Sequence, residues 1–174
     1  MTRTFALAAA LALSGCATHA PVRAVGHGAK VAVPIGYVML CVNRPTFCNP
    51  PTTTAGRGTF ADLERINAEV NAYPYASESV EDWTPISVAG SGDCDSYATE
   101  KMERLLAAGW SPLALRLAVG TVGGKGHLVL LVDLDGQTWV LDNLRSHPWP
   151  TEVQMIDYPI VKAQIAGTLY WEGI

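Results

Sequence analysis

The chain has 174 residues, long enough to bury one sizeable core. Hydrophobic residues make up 49% and charged residues 16%, and the formal net charge is −4. With no basic cluster and no run of like charge, the composition offers nothing for nucleic acid to bind.

The first sixteen residues read as an export signal. Arg3 supplies a positive start, and Phe5 to Leu13 is an apolar run too short to span a bilayer. The run ends in Leu13-Ser14-Gly15-Cys16, which resembles the bacterial lipobox, so Cys16 is expected to carry lipid and to become the mature N-terminus. The alternative is an ordinary secretory signal cleaved near Ala17 or Ala20. Either way the mature chain is expected in the periplasm, held to a bacterial membrane if the lipobox is used, where disulfides persist. Residues 17–30 are small and polar and read as a flexible tether. Residues 31–174 form the expected single domain.

Of the four cysteines, Cys16 is then taken by lipid. Cys41 and Cys48 flank a short segment and are expected to close a disulfide, with two free thiols as the alternative. Cys94 is left as the odd thiol. Along the chain, Val31 to Val42 is apolar, contains Pro34 and Gly36, and is expected to be extended. Asn49 to Gly58 reads as loop. Thr59 is an expected N-cap with Asp62 three residues on. Phe60, Leu63, Ile66 and Val70 make one apolar helical face, ended at Tyr73-Pro74. Residues 76–91 are expected to be irregular.

Ser91 to Trp110 has the most chemical content. A glycine turn leads to Asp93, an expected N-cap, and Tyr97, Ala98, Met102, Leu105 and Leu106 recur at helical spacing before a stop at Gly109. Cys94 then lies in the first helical turn, where the helix dipole favours negative charge, so a thiol pKa well below about 8.5 is expected. A small buried hydrophobe is the bland alternative.

From Leu113 the pattern changes to period two, with Leu113, Leu115, Leu117 and Val119 on one strand face and Arg116 on the other. Gly123 to Gly126 turns the chain into a second strand, His127 to Leu134. Asp135-Gly136 is a hairpin signal, and Gln137 to Asp142 is the third strand. A proline-rich loop with Trp149 follows, and a last strand is expected over Gly167 to Trp171. Trp110, Trp149 and Trp171 read as core or as cleft lining. Helices first and an antiparallel sheet after give an α+β class. His127 lies 33 positions after Cys94 (127 − 94), and Asp142 lies 15 further (142 − 127). A cysteine on a helix, a histidine on a strand and a carboxylate on the next strand are the parts of a nucleophile, a base and an orienter. His147, in a Ser-His-Pro-Trp-Pro loop, is a lesser alternative partner for Cys94.

These residues resemble the bacterial transglutaminase-like cysteine peptidases, the group containing the periplasmic biofilm-adhesin-releasing protease. G-D-C-D-S-Y-A-T-E-K resembles that family's G-D-C-E-D-Y-A-x-x-K. P-I-G-Y-V-M-L-C-V-N-R-P-T-F-C, I-N-A-E-V-N, D-W-T-P, G-H-L-V-L-L-V and V-L-D-N follow its order, over about Val33 to Trp149. The resemblance implies a papain/transglutaminase-like fold, with the nucleophile helix packed on an antiparallel sheet, and a triad of Cys94, His127 and Asp142. Acyl transfer through a thioester follows, with the Cys94 backbone N–H and the Trp83 indole as oxyanion donors. The resemblance also brings calcium, bound in the family by acidic residues flanking the cysteine. Here Asp95-Ser96 replaces Glu-Asp, so Asp93 and Asp95 are only weak calcium candidates; no cofactor is expected to be required, and calcium stays open.

The leading expectation is an exported cysteine endopeptidase acting on a periplasmic or cell-surface protein. A regulatory membrane protein of the kind the family uses is an open partner. The alternatives are amide exchange of the transglutaminase type and a non-catalytic lipoprotein binding module.

Overall fold

The computed structural model describes residues 28–49, 58–77, 79 and 81–174. In chain order the elements are β1 (Lys30–Val31), α1 (Ile35–Asn43), α2 (Pro45–Cys48), α3 (Phe60–Asn71), α4 (Ile86–Ala89) and α5 (Cys94–Ala107). There follow β2 (Leu115–Val122), β3 (Lys125–Leu134), β4 (Gln137–Leu141), β5 (Trp149–Pro150), α6 (Thr151–Asp157), β6 (Ile160–Gln164) and β7 (Trp171–Gly173). All strand pairings are antiparallel, in the order β1-β7-β6-β2-β3-β4-β5. Cys16, the signal segment and the tether up to residue 27 lie outside the described residues, as does most of the loop expected before Thr59.

The α+β expectation holds, and α5 packs against β3 as expected. Alternation along β3 sends Leu128, Leu130 and Val132 into the main core with α5, where Tyr97, Ala98, Met102 and Leu105 meet them. Val129 and Leu131 point to the opposite face, into a smaller cluster with Val140, Tyr158, Ile160 and Ala163. The helix over Phe60 to Asn71 forms as expected, with a reciprocal box in which Thr59 and Asp62 satisfy each other's backbone amides. Asp135 and Gly136 both take positive φ (51° and 81°), the requirement of the two-residue hairpin turn between β3 and β4.

Several local expectations are corrected. Residues 76–91, expected to be irregular, contain α4, whose Ile86 is buried. The strand expected from Leu113 starts at Leu115, since Pro112 to Ala114 form a tight turn capped by Ser111. The segment expected to be extended is helical from Ile35, because Gly36, Tyr37 and Leu40 bury one helical face while Pro34 starts the turn. A run that is apolar at almost every position carries no period of its own, so tertiary contact chose between helix and strand. The cysteines at its end are joined, Cys41 to Cys48, across a Cα–Cα distance of 5.4 Å. The last strand is Trp171–Gly173, since residues 165–170 close the turn between β6 and β7 (Ile165 N–H to Tyr170 O, 2.8 Å). The proline-rich loop also contains β5 and leads into α6, neither of which had been expected.

Candidate active site

Cys94 is the first residue of α5. Asp93 caps that helix, its carboxylate accepting from the Asp95 backbone N–H at 3.4 Å, as the residue type predicts. The segment before it is tied by Ala76 N–H to Gly92 O (2.9 Å) and by the Tyr97 hydroxyl to Tyr73 O (2.6 Å). Position and tilt of the helix start are therefore set from both sides. His127 is the third residue of β3, and Asp142 directly follows β4. His127 Nε2 lies 2.8 Å from Asp142 Oδ1, and the two side chains are 8% and 0% exposed. With Nε2 engaged by the carboxylate, Nδ1 is the nitrogen left to exchange a proton with a reacting group.

Asp142 is held on both oxygens. The Leu144 backbone N–H donates to Oδ1 at 2.9 Å and the Tyr158 hydroxyl to Oδ2 at 2.6 Å. Burial works to raise its pKa. The hydrogen bond and charge of His127, the Leu144 amide and the Tyr158 hydroxyl more than offset that, and the carboxyl stays below its ordinary value. The turn that carries it is anchored from α3: Asn71 Nδ2 donates to Asp142 O (3.0 Å) and Arg145 O (2.8 Å), and Asn67 Nδ2 to Arg145 O (3.0 Å).

Cys94 and His127 line one cleft of about 390 Å3, together with Pro34, Trp83, Val119 and Leu128. Its charged lining is Glu81, Asp93 and Asp95 of one sign and Lys125 and Lys162 of the other. The expected low thiol pKa is corrected. Burial pushes the Cys94 thiol up to about 11; the Leu128 backbone N–H aimed at the sulfur works against this, and the charges of Asp93 and Asp95 add to it. The attraction of a helix start for negative charge is worth at most about 2 kcal/mol, and here desolvation and two flanking carboxylates exceed it. The resting thiol is therefore protonated at neutral pH.

Trp83 is buried in the main core and also lines the cleft, in the left-handed region (φ 54°). That conformation costs a non-glycine residue on the order of 1–3 kcal/mol and persists where its surroundings over-determine it. Asp82 accepts from the Thr84 N–H at 3.1 Å, and the indole packs on Gly36, where a Cβ would stand 2.2 Å from the indole nitrogen. Trp110 and Trp171 are core, and Trp149 is half-buried under the Arg145 guanidinium. His147 is 72% exposed beside Glu64 and is not part of the cleft.

Among the described residues no group of three or more His, Cys, Asp or Glu side chains is placed to hold a metal ion. Asp93 and Asp95 alone fall short of the six to eight oxygens calcium takes. No helix among those residues is long and apolar enough to cross a membrane.

The sequence pattern of the family described as bacterial transglutaminase-like cysteine proteinase matches residues 27–171. The chain belongs to that family. Its fold is papain/transglutaminase-like. Calcium-bound LapG of Legionella pneumophila superposes with a TM-score of 0.53 at 23% identity, over 60% of this chain and 64% of that one. EGTA-treated LapG gives 0.52 at 23%, over 59% and 61%. The chain thus spans less than two-thirds of the length of LapG, and at this identity the likeness bears on fold alone. None of the curated proteins matches the sequence.

Sequence reasoning brought Cys94, His127, Asp142, Trp83, Asp93 and Asp95 forward, and all lie at or beside this cleft. It missed Tyr158, the Leu144 amide and the Leu128 amide. No local pattern marks them, since each acts through contacts between distant segments. Lys101 had a faint signal, a lysine on the same helix face as Cys94, two turns on. It is fully buried, and its Nζ finds no hydrogen-bond partner among the described residues.

Proposed function

We propose that this chain is an exported cysteine endopeptidase, lipid-anchored through Cys16, that cleaves a periplasmic or cell-surface protein. The observation that carries the reading is the buried His127–Asp142 pair at 2.8 Å facing the cleft that also holds the Cys94 sulfur. Membership of a cysteine proteinase family supports it.

The steps are those of acyl transfer. As the Cys94 sulfur bonds to the amide carbonyl carbon, its proton passes to His127 Nδ1. Because the free thiol is held up near 11, this transfer accompanies attack on the carbonyl rather than preceding it. Asp142 holds Nε2–H, which fixes the tautomer and stabilises the imidazolium. The oxyanion takes donors from the Cys94 backbone N–H at the helix start and from the Trp83 indole; one such donor is worth about 3 kcal/mol. His127 returns the proton to the leaving amine as the C–N bond breaks. Water then attacks the thioester with His127 as base, releasing the acid and the thiol.

The test is alkylation of Cys94 by iodoacetamide at pH 7, followed by peptide mass spectrometry, together with fragment release from denatured casein. Wild type is expected to alkylate at least about tenfold faster than His127→Ala, since general-base help is typically worth 100-fold or more. Fragments are expected with wild type and not with Cys94→Ala. Equal alkylation rates, with no fragments, would leave the binding module as the better reading.

A further inference from the structure

We propose that Tyr158 is a positioning residue of this site: its hydroxyl holds Asp142 and shares the carboxylate's charge, and Gly120 is the seat that lets its ring stand against His127. The inference rests on the reading of His127 and Asp142 given above.

The geometry comes from four segments. The Tyr158 hydroxyl donates to Asp142 Oδ2 at 2.6 Å, on the oxygen that His127 does not use. Its ring meets the imidazole edge-on, with centroids 5.5 Å apart and an interplanar angle of 86°. Gly120 of β2 is the register partner of His127 in β3. A Cβ on Gly120 would stand 2.7 Å from Tyr158 Cε2, so only glycine leaves the ring its place. At that point the pairing of β2 with β6 shifts register, from Val119 opposite Lys162 to Gly120 opposite Ile160, which leaves Val161 as the extra residue of a bulge. Bulges re-aim a neighbouring side chain. Here the Thr121 N–H holds the Pro159 carbonyl (3.0 Å), while the Tyr158 N–H donates to Gln154 O in α6 (3.1 Å). The tyrosine is thus clamped between α6 and the bulge.

A carboxylate that accepts from a third donor has less charge to offer the imidazole. The tyrosine therefore orients Asp142 and also weakens its pull on the His127 proton. Burial and the adjacent carboxylate hold the Tyr158 hydroxyl above its ordinary pKa, so it stays a donor through the working range. The other ionisable groups around the trio are Cys94 and Lys101 from α5, Arg145 from the turn after Asp142, and the cleft residues Glu81, Asp93, Asp95, Lys125 and Lys162.

The experiment is an NMR titration of the His127 ring in wild type, Tyr158→Phe and Gly120→Ala, with thermal unfolding of each. Phenylalanine keeps the ring and removes only the hydroxyl. The His127 midpoint is expected to move to higher pH by about half a unit or more in Tyr158→Phe. Gly120→Ala, which keeps the hydroxyl but displaces the ring, is expected to shift it in the same direction. A lowered unfolding temperature with an unmoved midpoint in Tyr158→Phe would overturn the proposal and leave the tyrosine a structural residue. If instead the midpoint moves but His127→Ala does not slow Cys94 alkylation, the reading of function fails while the link between Tyr158 and His127 stands.

Discussion

His127 Nε2 and Asp142 Oδ1 stand 2.8 Å apart at the meeting of β3 and β4, with the carboxylate out of solvent. The neutral amide of Asp142→Asn is nearly the same shape, but it neither fixes the tautomer nor balances an imidazolium. Casein cleavage by that variant is expected to fall by roughly 100-fold to 10,000-fold, with an unchanged far-UV circular dichroism spectrum. Cleavage within a factor of three of wild type would remove Asp142 from the mechanism.

Asp93 contributes a cap and a charge, and the two are separable. Asparagine caps a helix as well as aspartate does. Asp93→Asn should keep α5 intact while relieving part of the repulsion that raises the Cys94 thiol. The pH at which Cys94 alkylation reaches half its maximal rate is expected to fall by a few tenths of a unit to about one unit. An unchanged profile would mean that solvent screens this charge from the sulfur.

Asp93 and Asp95 flank Cys94, and by themselves they supply fewer oxygens than the six to eight that calcium takes. LapG has been solved in calcium-bound and EGTA-treated forms. For this chain, EGTA is expected to leave the alkylation rate of Cys94 within a factor of two and the unfolding temperature unmoved. A drop in either that added calcium restores would show a site completed by other groups.

Lys101 should act on stability in a pH-dependent way. Burial pushes its pKa down from 10.5 to about 7, partly offset by Asp142. Between those values the unfolded chain binds a proton that the folded chain does not, so stability rises with pH across the window, and the cost of burial is full below pH 7. Lys101→Met removes that cost. It is expected to be more stable than wild type by roughly 2–5 kcal/mol at pH 6, with most of the gain gone near pH 10. Urea unfolding at the two pH values checks this, and equal stability at pH 6 would show that the ammonium is compensated inside the fold.

Much of the site was legible in the residues because each member sits at a boundary that local chemistry marks. Asp93 and Cys94 follow a glycine turn and open an amphipathic helix. His127 follows Gly123 to Gly126 and leads an apolar strand, and Asp142 closes the next one. Helix α1 was not legible, since an unbroken apolar run has no period to read. The β6 strand and α6 were missed because they are short and their partners are remote in sequence.

The amino-acid order alone determined which residues start and stop α3, α5 and the β3–β4 hairpin, since caps, glycines and periodicity act over a few residues. It thereby also determined which side chains were available for chemistry. The tertiary structure decided what those side chains feel. Burial at the base of the cleft, beside two carboxylates, turned the expected acidic thiol into one held near 11. A glycine in β2 and a bulge against β6 delivered Tyr158 to Asp142 from a segment with no motif. Desolvation and contact between distant segments are properties of the packed chain, and they are absent from any short window of sequence.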